Sequence, residues 1–239
     1  MWTDRTELLL GKEGLASVAS ARAVVVGVGG VGAYAAEMLV RAGLGSILLI
    51  DSDTVSESNL NRQLPALRST IGKSKCEVLR ERFLDINPAL DIVIISDYIN
   101  EENVASVLDP QRADVILDCI DTLSPKVALV TYCLARGVRL VSAMGAGAKR
   151  DATAIRVDDI SQTKLCPLAY MLRKRLHKMG IRTGFKAVYS LEAPDPDAMM
   201  LEESRNKRSQ VGTISYMPAA FGCVMAQAAI AELLADIQR

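Results

Sequence analysis

Between residues 24 and 63 the chain reads VVVGVGGVG, a helix-like stretch, ILLIDSD and then ESNLNRQ. Gly27, Gly29 and Gly32 fit the spacing G-x-G-x-x-G, with Gly30 as an additional glycine. Glycines at such a strand-to-helix turn let backbone N–H groups and a helix N-terminus approach phosphate. Asp51 stands 19 residues beyond Gly32, at the end of an apolar run. A carboxylate there can accept hydrogen bonds from ribose hydroxyls. Taken alone, the glycine spacing suits NAD. Three further groups shift the chemistry. Asn59, Asn61, Arg62 and Gln63 put a cation and amides just past the Asp51 strand, and Gly72-Lys73-Ser74-Lys75 opens the next helix with two more cations. Asp118-Cys119-Ile120-Asp121 ends a later strand with two carboxylates. Cations beside phosphates and a hard oxygen ligand for a divalent ion suit a triphosphate. Hydride transfer needs neither.

Alternating strands and helices must position these residues. Apolar runs at 23–28, 47–50, 92–96, 115–119 and 139–142 read as strands. Helical patterns fall between them at 31–42, 73–86, 101–108 and 125–136, ended by Gly43, Asn87-Pro88, Pro110 and Gly137. Asp4 with Glu7 resembles a capping box for a short N-terminal helix stopped at Gly11. The fold class that follows is α/β: a Rossmann-like, mostly parallel sheet with helices on both faces. After Gly145 a smaller α/β extension is expected, with β-like runs at 153–157 and 186–191. Leu168, Leu172, Leu176 and Met179 lie at helical spacing there, leaving Arg173, Lys174, His177 and Lys178 on other faces. Residues 192–212 are polar and carry Pro194 and Pro196, which predicts a mobile crossover or lid.

Bulk composition narrows the field less than its distribution does. Lys plus Arg and Asp plus Glu both total 28, so net charge offers no argument for nucleic acid. Yet residues 160–191 hold no acid and seven Lys or Arg: Lys164, Arg173, Lys174, Arg175, Lys178, Arg182 and Lys186. That segment is either a solvated face or a surface for a polyanion. The five cysteines form no CxxC pair, which argues against a four-thiolate zinc site and for a reduced, cytoplasmic protein. The apolar run 214–235 contains Pro218, Gln227 and Glu232 and reads as a buried or dimer-facing helix, with no membrane association expected.

GVGGVG, IDSDTVSESNLNRQ, IGKSKCE, INP and DCIDT resemble, in order and spacing, the E1-like activating superfamily, which adenylates carboxylates with ATP. RTELLLG, PLAYMLRKRL, VYSLEAP and GTISYMPAAFG extend the likeness to its branch of tRNA threonylcarbamoyladenosine dehydratases. The resemblance implies ATP and Mg²⁺. Gly27, Gly29, Gly30 and Gly32 would admit the triphosphate and Asp51 would hold the ribose. Arg62 and Lys75 would neutralise phosphate charge, while Asn59 and Gln63 orient their loop. Asp121 would take the metal. Arg5 would be an arginine finger delivered across a homodimer, and Arg173, Lys174 and Lys178 would meet tRNA phosphates. The implied division is an N-terminal finger segment at 1–20, an ATP-binding domain at 21–150, and an extension at 151–239 for tRNA and dimerisation. Cys166 stands where this branch pattern has Asp, and no role is assigned to it. Activation of a ubiquitin-like sulfur-carrier protein is the alternative enzyme reading, a non-catalytic NAD-sensing protein a third. A sulfur-transfer protein stays open as a further partner.

Overall fold

A computed structural model describes residues 1–201, 209–235 and 237. Helix α1 (Asp4–Ser20) precedes strand β1 (Arg22–Val26), α2 (Gly32–Arg41) and β2 (Ser46–Ile50). Then come α3 (Lys75–Ile86), β3 (Asp91–Ile95), α4 (Val104–Leu108), β4 (Val115–Asp118), α5 (Leu123–Arg136) and β5 (Arg139–Ala143). The second half adds β6 (Ile155–Asp159), α6 (Pro167–Lys178), β7 (Lys186–Ser190), the short β8 (Met199–Leu201) and β9 (Ser209–Val211), and α7 (Tyr216–Leu234). Seven strands form one sheet in the order β3-β2-β1-β4-β5-β7-β6, and β8 pairs with β9 apart from it. Only β6 runs antiparallel in the main sheet, along β7. The β-like runs after Gly145 therefore enlarge the central sheet. Strand order reverses between β1 and β4, which opens a crevice at their carboxyl ends.

The sheet is buried on both faces. Alternate residues of β1 feed separate cores: Ala23 and Val25 join the side of α2, α3 and α7, Val24 and Val26 the side of α4, α5 and α6. Two-sided burial explains why the central strands read as unbroken aliphatic runs. Helix α7 buries Met217, Phe221 and Met225. It approaches α2 closely through Gly222, where a Cβ would lie 2.5 Å from the Val31 carbonyl oxygen. Among the described residues α7 alone is long and apolar enough to cross a membrane, but 56% of its apolar window is buried in this core.

Several boundaries differ from expectation, each for a local reason. Asp4 does not cap α1; its carboxylate takes the N-terminal ammonium, and Thr3 stands at the cap without a side-chain bond. Gly11 (φ 76°, ψ 169°) does interrupt the helix, but a second helical segment continues to Ser20. Helix α3 starts two residues late because Gly72 and Lys73 are held in a turn against Val55 and Thr70. Helix α4 starts at Val104 because the Asn100 and Asn103 side chains bond the backbone of 98–103. Strand β6 begins at Ile155 because Asp151 caps a 3-10 turn over Ala152–Ala154. The expected crossover at 192–212 contains β8 and β9, and its residues 202–208 lie outside the described ones.

A buried ion pair fastens the carboxyl edge of the sheet. Lys126 of α5 donates to Asp118 Oδ2 at 2.7 Å, to the Ala143 carbonyl at 2.9 Å and to Ser142 Oγ at 3.3 Å. Ser142 Oγ also donates to Asp118 at 2.6 Å, and both charged side chains are fully buried. Asp118 Oδ1 accepts the Ile120 N–H at 3.1 Å, turning the chain out of β4. Removing one partner leaves the other charge stranded. Lys126→Met should lower unfolding stability by about 3–5 kcal/mol, measured by urea titration, and adding Asp118→Asn should recover part of it. An unchanged midpoint for the single variant would refute the role given to this pair.

Candidate active site

The glycine turn is built as its sequence requires. Gly27 has φ +87° and donates its N–H to the Ile50 carbonyl at 2.8 Å, tying β1 to β2. A Cβ on Gly32 would sit 1.8 Å from the Gly27 carbonyl oxygen, so only glycine fits there. A Cβ on Gly29 would come within 3.6 Å of Gln63 Nε2, and one on Gly30 within 3.0 Å of Pro218 and 3.6 Å of Arg62. The turn therefore packs against Arg62, Gln63 and the first turn of α7. Residues far apart in sequence meet on one loop.

Asp51 is half-buried at the end of β2. Its Oδ2 accepts the Val28 N–H and its Oδ1 the Asp53 N–H, both at 2.8 Å. Burial raises its pKa above the usual carboxylate value, against the Lys75 charge and the two N–H donors. Lys75 has 4% of its side chain exposed and donates to Asp53 at 2.7 Å, whereas Asp53 is 66% exposed. The buried lysine is thus paired with a carboxylate that water reaches.

Asn59 organises the following loop: Oδ1 accepts the Ser56 N–H at 3.1 Å, and its carbonyl accepts the N–H groups of Arg62 and Gln63. Arg62 donates to Ser58 O and Asn61 Oδ1 at 2.8 Å, and Asn61 reaches Thr213 O at 3.0 Å just before α7. Gln63 Oε1 is buried without a hydrogen-bond partner among the described residues. Such an acceptor is costly to leave unmade and marks a place for a ligand donor.

The two carboxylates after β4 separate in function. Asp118 is consumed by Lys126, whereas Asp121 is exposed. Among the described residues no cluster of three or more His, Cys, Asp or Glu side chains can hold a metal. A divalent ion at Asp121 would thus need phosphate oxygens to complete its shell, as Mg²⁺ commonly does. Arg5 is exposed on α1 and forms no ion pair among the described residues. Burial pushes the Cys76 thiol up to about 12 and raises those of Cys119 and Cys133 too, so none is poised as a thiolate nucleophile.

The basic segment needs two corrections. Arg173 does not face outward: its guanidinium donates to the Thr163 carbonyl at 3.0 Å and to the Thr163 hydroxyl, pinning the turn before α6. Met179 does not anchor the helix; it lies past the end of α6 and is 55% exposed. Ala169, Leu172 and Leu176 form the buried face, and Lys174 and Lys178 are exposed together with Arg175.

Sequence reasoning missed two lysines. Lys126 sits three and seven residues before buried Leu129 and Cys133, so its inward position was readable from helical spacing. Lys149 had no such signal. It lies in the loop after β5, 4% exposed, with one long bond to the Gly147 carbonyl at 3.3 Å. Burial lowers its pKa below the usual lysine value, partly countered by Cys166 and Glu192. The Glu192 carboxylate already accepts the Arg150 and Asp151 N–H groups.

A doubly wound α/β sheet with a glycine turn, a half-buried carboxylate and cations at its switch point defines a nucleotide-binding protein. The chain belongs to the ThiF family, whose profile matches residues 3–238. It is 36% identical to the tRNA threonylcarbamoyladenosine dehydratase of Bacillus subtilis, over 98% of this chain and 95% of that protein. Identity to the Escherichia coli protein of the same name is 38%, over 100% and 96%. The crystal structure of E. coli TcdA in complex with ATP superposes with a TM-score of 0.89 at 36% identity, covering 98% of this chain and 94% of that one.

The state of Lys149 sets a pH dependence. Its folded pKa lies below the unfolded value near 10.5, so between the two the unfolded chain binds the extra proton. Stability should therefore rise as pH increases through that window. Lys149→Met should raise the melting temperature at neutral pH and abolish the alkaline gain. A scan from pH 7 to 10 showing the same slope in both proteins would contradict the assignment.

Proposed function

We propose that this chain is an ATP-dependent dehydratase that cyclises N6-threonylcarbamoyladenosine in tRNA through an acyl-adenylate. One observation carries the reading: a nucleotide turn bordered by Asp51, Arg62 and Gln63 lies in a chain that matches dehydratases over 98–100% of its length. The threonyl carboxylate attacks the α-phosphorus of ATP and pyrophosphate leaves. The ureido group of the same nucleoside then attacks the acyl carbon, its proton is lost and AMP departs. The sum is loss of water. Because the second nucleophile is tethered, high effective molarity replaces a covalent enzyme intermediate. The raised thiols of Cys76, Cys119 and Cys133 agree with that route.

In this scheme Gly27, Gly29, Gly30 and Gly32 admit the triphosphate, Asp51 accepts from the ribose, and Asn59 holds the loop. Gln63 offers its unpaired oxygen to a nucleotide donor. Arg62 and Lys75 offset charge as pyrophosphate leaves, Lys75 shifting its donor from exposed Asp53. Asp121 would hold Mg²⁺ together with the nucleotide, and the ion would supply further charge neutralisation. Residues 21–150 thus handle ATP, and residues 151–239 handle tRNA and subunit contacts.

Residues 1–20 serve a second copy of the chain. Leu8 and Leu9 are 87% and 84% exposed on the helix that carries Arg5. Such apolar exposure beside a cation fits a homodimer in which each Arg5 reaches the partner's nucleotide. The reaction belongs in the cytoplasm, where tRNA and ATP are found. A sulfur-transfer protein remains a candidate partner rather than part of this chemistry.

Three outcomes are expected. Pyrophosphate release should depend on tRNA and not on a sulfur-carrier protein, with ATP bound more tightly than NAD by calorimetry. The reverse preference in either assay would overturn the reading. Asp121→Ala should stay folded and lose about 10²–10³-fold in adenylation rate; near-normal release would remove it from the metal. Mixing Arg5→Ala with Asp121→Ala subunits should restore activity, since a mixed dimer holds one intact composite site. No recovery after verified subunit exchange would sink the shared site.

A further inference from the structure

The outward face of α6 is neither a plain charged face nor an apolar patch. Lys174, Arg175 and Lys178 are exposed, and none of them forms an ion pair among the described residues. Some arginines elsewhere on the surface do take acids, as Arg136 does with Asp109 and Arg150 with Asp195. No acid lies between residues 160 and 191 to quench the α6 cations. Apolar groups stand among them. Tyr170 is 57% exposed and Met171 41%, and Met171, Lys174, Arg175 and Lys178 line a shallow concavity. Tyr170, Lys174 and Lys178 recur every fourth residue and so form one row along the helix.

The start of α6 adds a second observation. Cys166 is the N-cap, which puts Leu165 one residue before the cap and Tyr170 four residues after it. These positions bring two apolar side chains together at a helix start. Here both stay in water: Leu165 is 60% exposed and holds φ +56°, a left-handed conformation costly for a leucine. An aromatic ring in one row with Lys174 and Lys178, and an outward leucine just before the helix, thus accompany cations that form no ion pair among the described residues.

We propose that this face receives unpaired bases of an RNA loop, Tyr170 stacking a base beside Leu165 while Lys174, Arg175 and Lys178 contact the flanking phosphates. The inference rests on the tRNA reading and narrows it to a single-stranded part of the molecule. Phosphates of a duplex would need only the cations. In an A-form helix the bases are stacked inside, so a ring on the protein finds no base face; in a loop, splayed bases present one.

The test uses fluorescence anisotropy with two probes: an anticodon stem–loop, and a blunt RNA duplex of equal phosphate number. Tyr170→Ala should weaken stem–loop binding roughly ten- to hundredfold, leave duplex binding unchanged, and keep the salt slope. Tyr170→Phe should retain wild-type affinity, because the face of the ring is what binds. The triple change Lys174→Glu, Arg175→Glu and Lys178→Glu should weaken both probes and flatten the salt dependence. Unchanged stem–loop affinity in Tyr170→Ala, or equal losses on both probes, would overturn base stacking. Wild-type binding by the triple variant would remove RNA from this face. A Tyr170→Ala protein that instead loses its dimer in sedimentation would make the face a subunit contact. None of these four residues belongs to the ATP site described above, so ATP affinity measured by calorimetry without RNA should be unchanged in each variant. Loss of RNA-dependent release in the wild-type protein would refute the tRNA reading itself, separately from this surface.

Discussion

The buried pair of Lys126 and Asp118 holds together the edge on which the candidate site is built. Three elements meet there: β4 supplies the carboxylate, the first turn of α5 the ammonium, and β5 a hydroxyl and a carbonyl. Burying two charges is expensive unless their remaining donors and acceptors are satisfied. Here the ammonium has three oxygen partners, and the carboxylate takes the lysine, the serine hydroxyl and the Ile120 N–H. The consequence is positional. Asp118 turns the chain sharply after β4, so that Cys119 meets Gly27 and Asp121 emerges at the solvent edge. The Cys119 carbonyl lies 3.0 Å from where a Gly27 Cβ would be, so the turn after β4 packs directly on the glycine turn after β1.

How much of this the sequence disclosed depended on whether a constraint was local. The alternating order of β1 to β5 and their helices was readable because buried parallel strands read as continuous aliphatic runs, and glycine or proline follows each of the helices between them. The glycine turn and Asp51 were readable because few other residues satisfy their geometry. Element starts were not. At α3, α4 and β6 a turn or an Asn or Asp side chain claims the first residues, competing locally with regular structure. Arg173 was misjudged for a related reason. Helical spacing places it off the apolar face, but a long side chain can fold back to a carbonyl ten residues earlier. Lys149 gave no signal because it lies in a loop, where burial depends on what chain comes to cover it.

The crossover shows how the two halves are linked. Gly212 donates to the Ala198 carbonyl, Ala148 to Gly212, and Asp195 to Ala148. Thr213 then accepts from Asn61, whose neighbour Arg62 packs by Gly30. Tyr216 donates to the Arg150 carbonyl and Pro218 packs on Gly30. The segment leading into α7 therefore touches both the nucleotide loop and the loop after β5. The link combines backbone hydrogen bonds with the side chains of Asn61, Tyr216 and Pro218.

Three buried lysines then mark three uses of a cation in one fold. Lys126 is saturated by fully buried partners, so its charge is spent on architecture. Lys75 is equally buried, but its partner Asp53 is largely exposed. Water can solvate that carboxylate if the ammonium turns to another anion, so the exchange is cheap on the acid's side. The role proposed for Lys75 toward phosphate rests on this asymmetry. Lys149 has a single long bond and an acid neighbour already committed to backbone N–H groups. Its burial is offset only in part, by the charges of Cys166 and Glu192. All three lysines are buried, and Lys75 and Lys126 differ less in their own burial than in the solvent exposure of the acids they pair with.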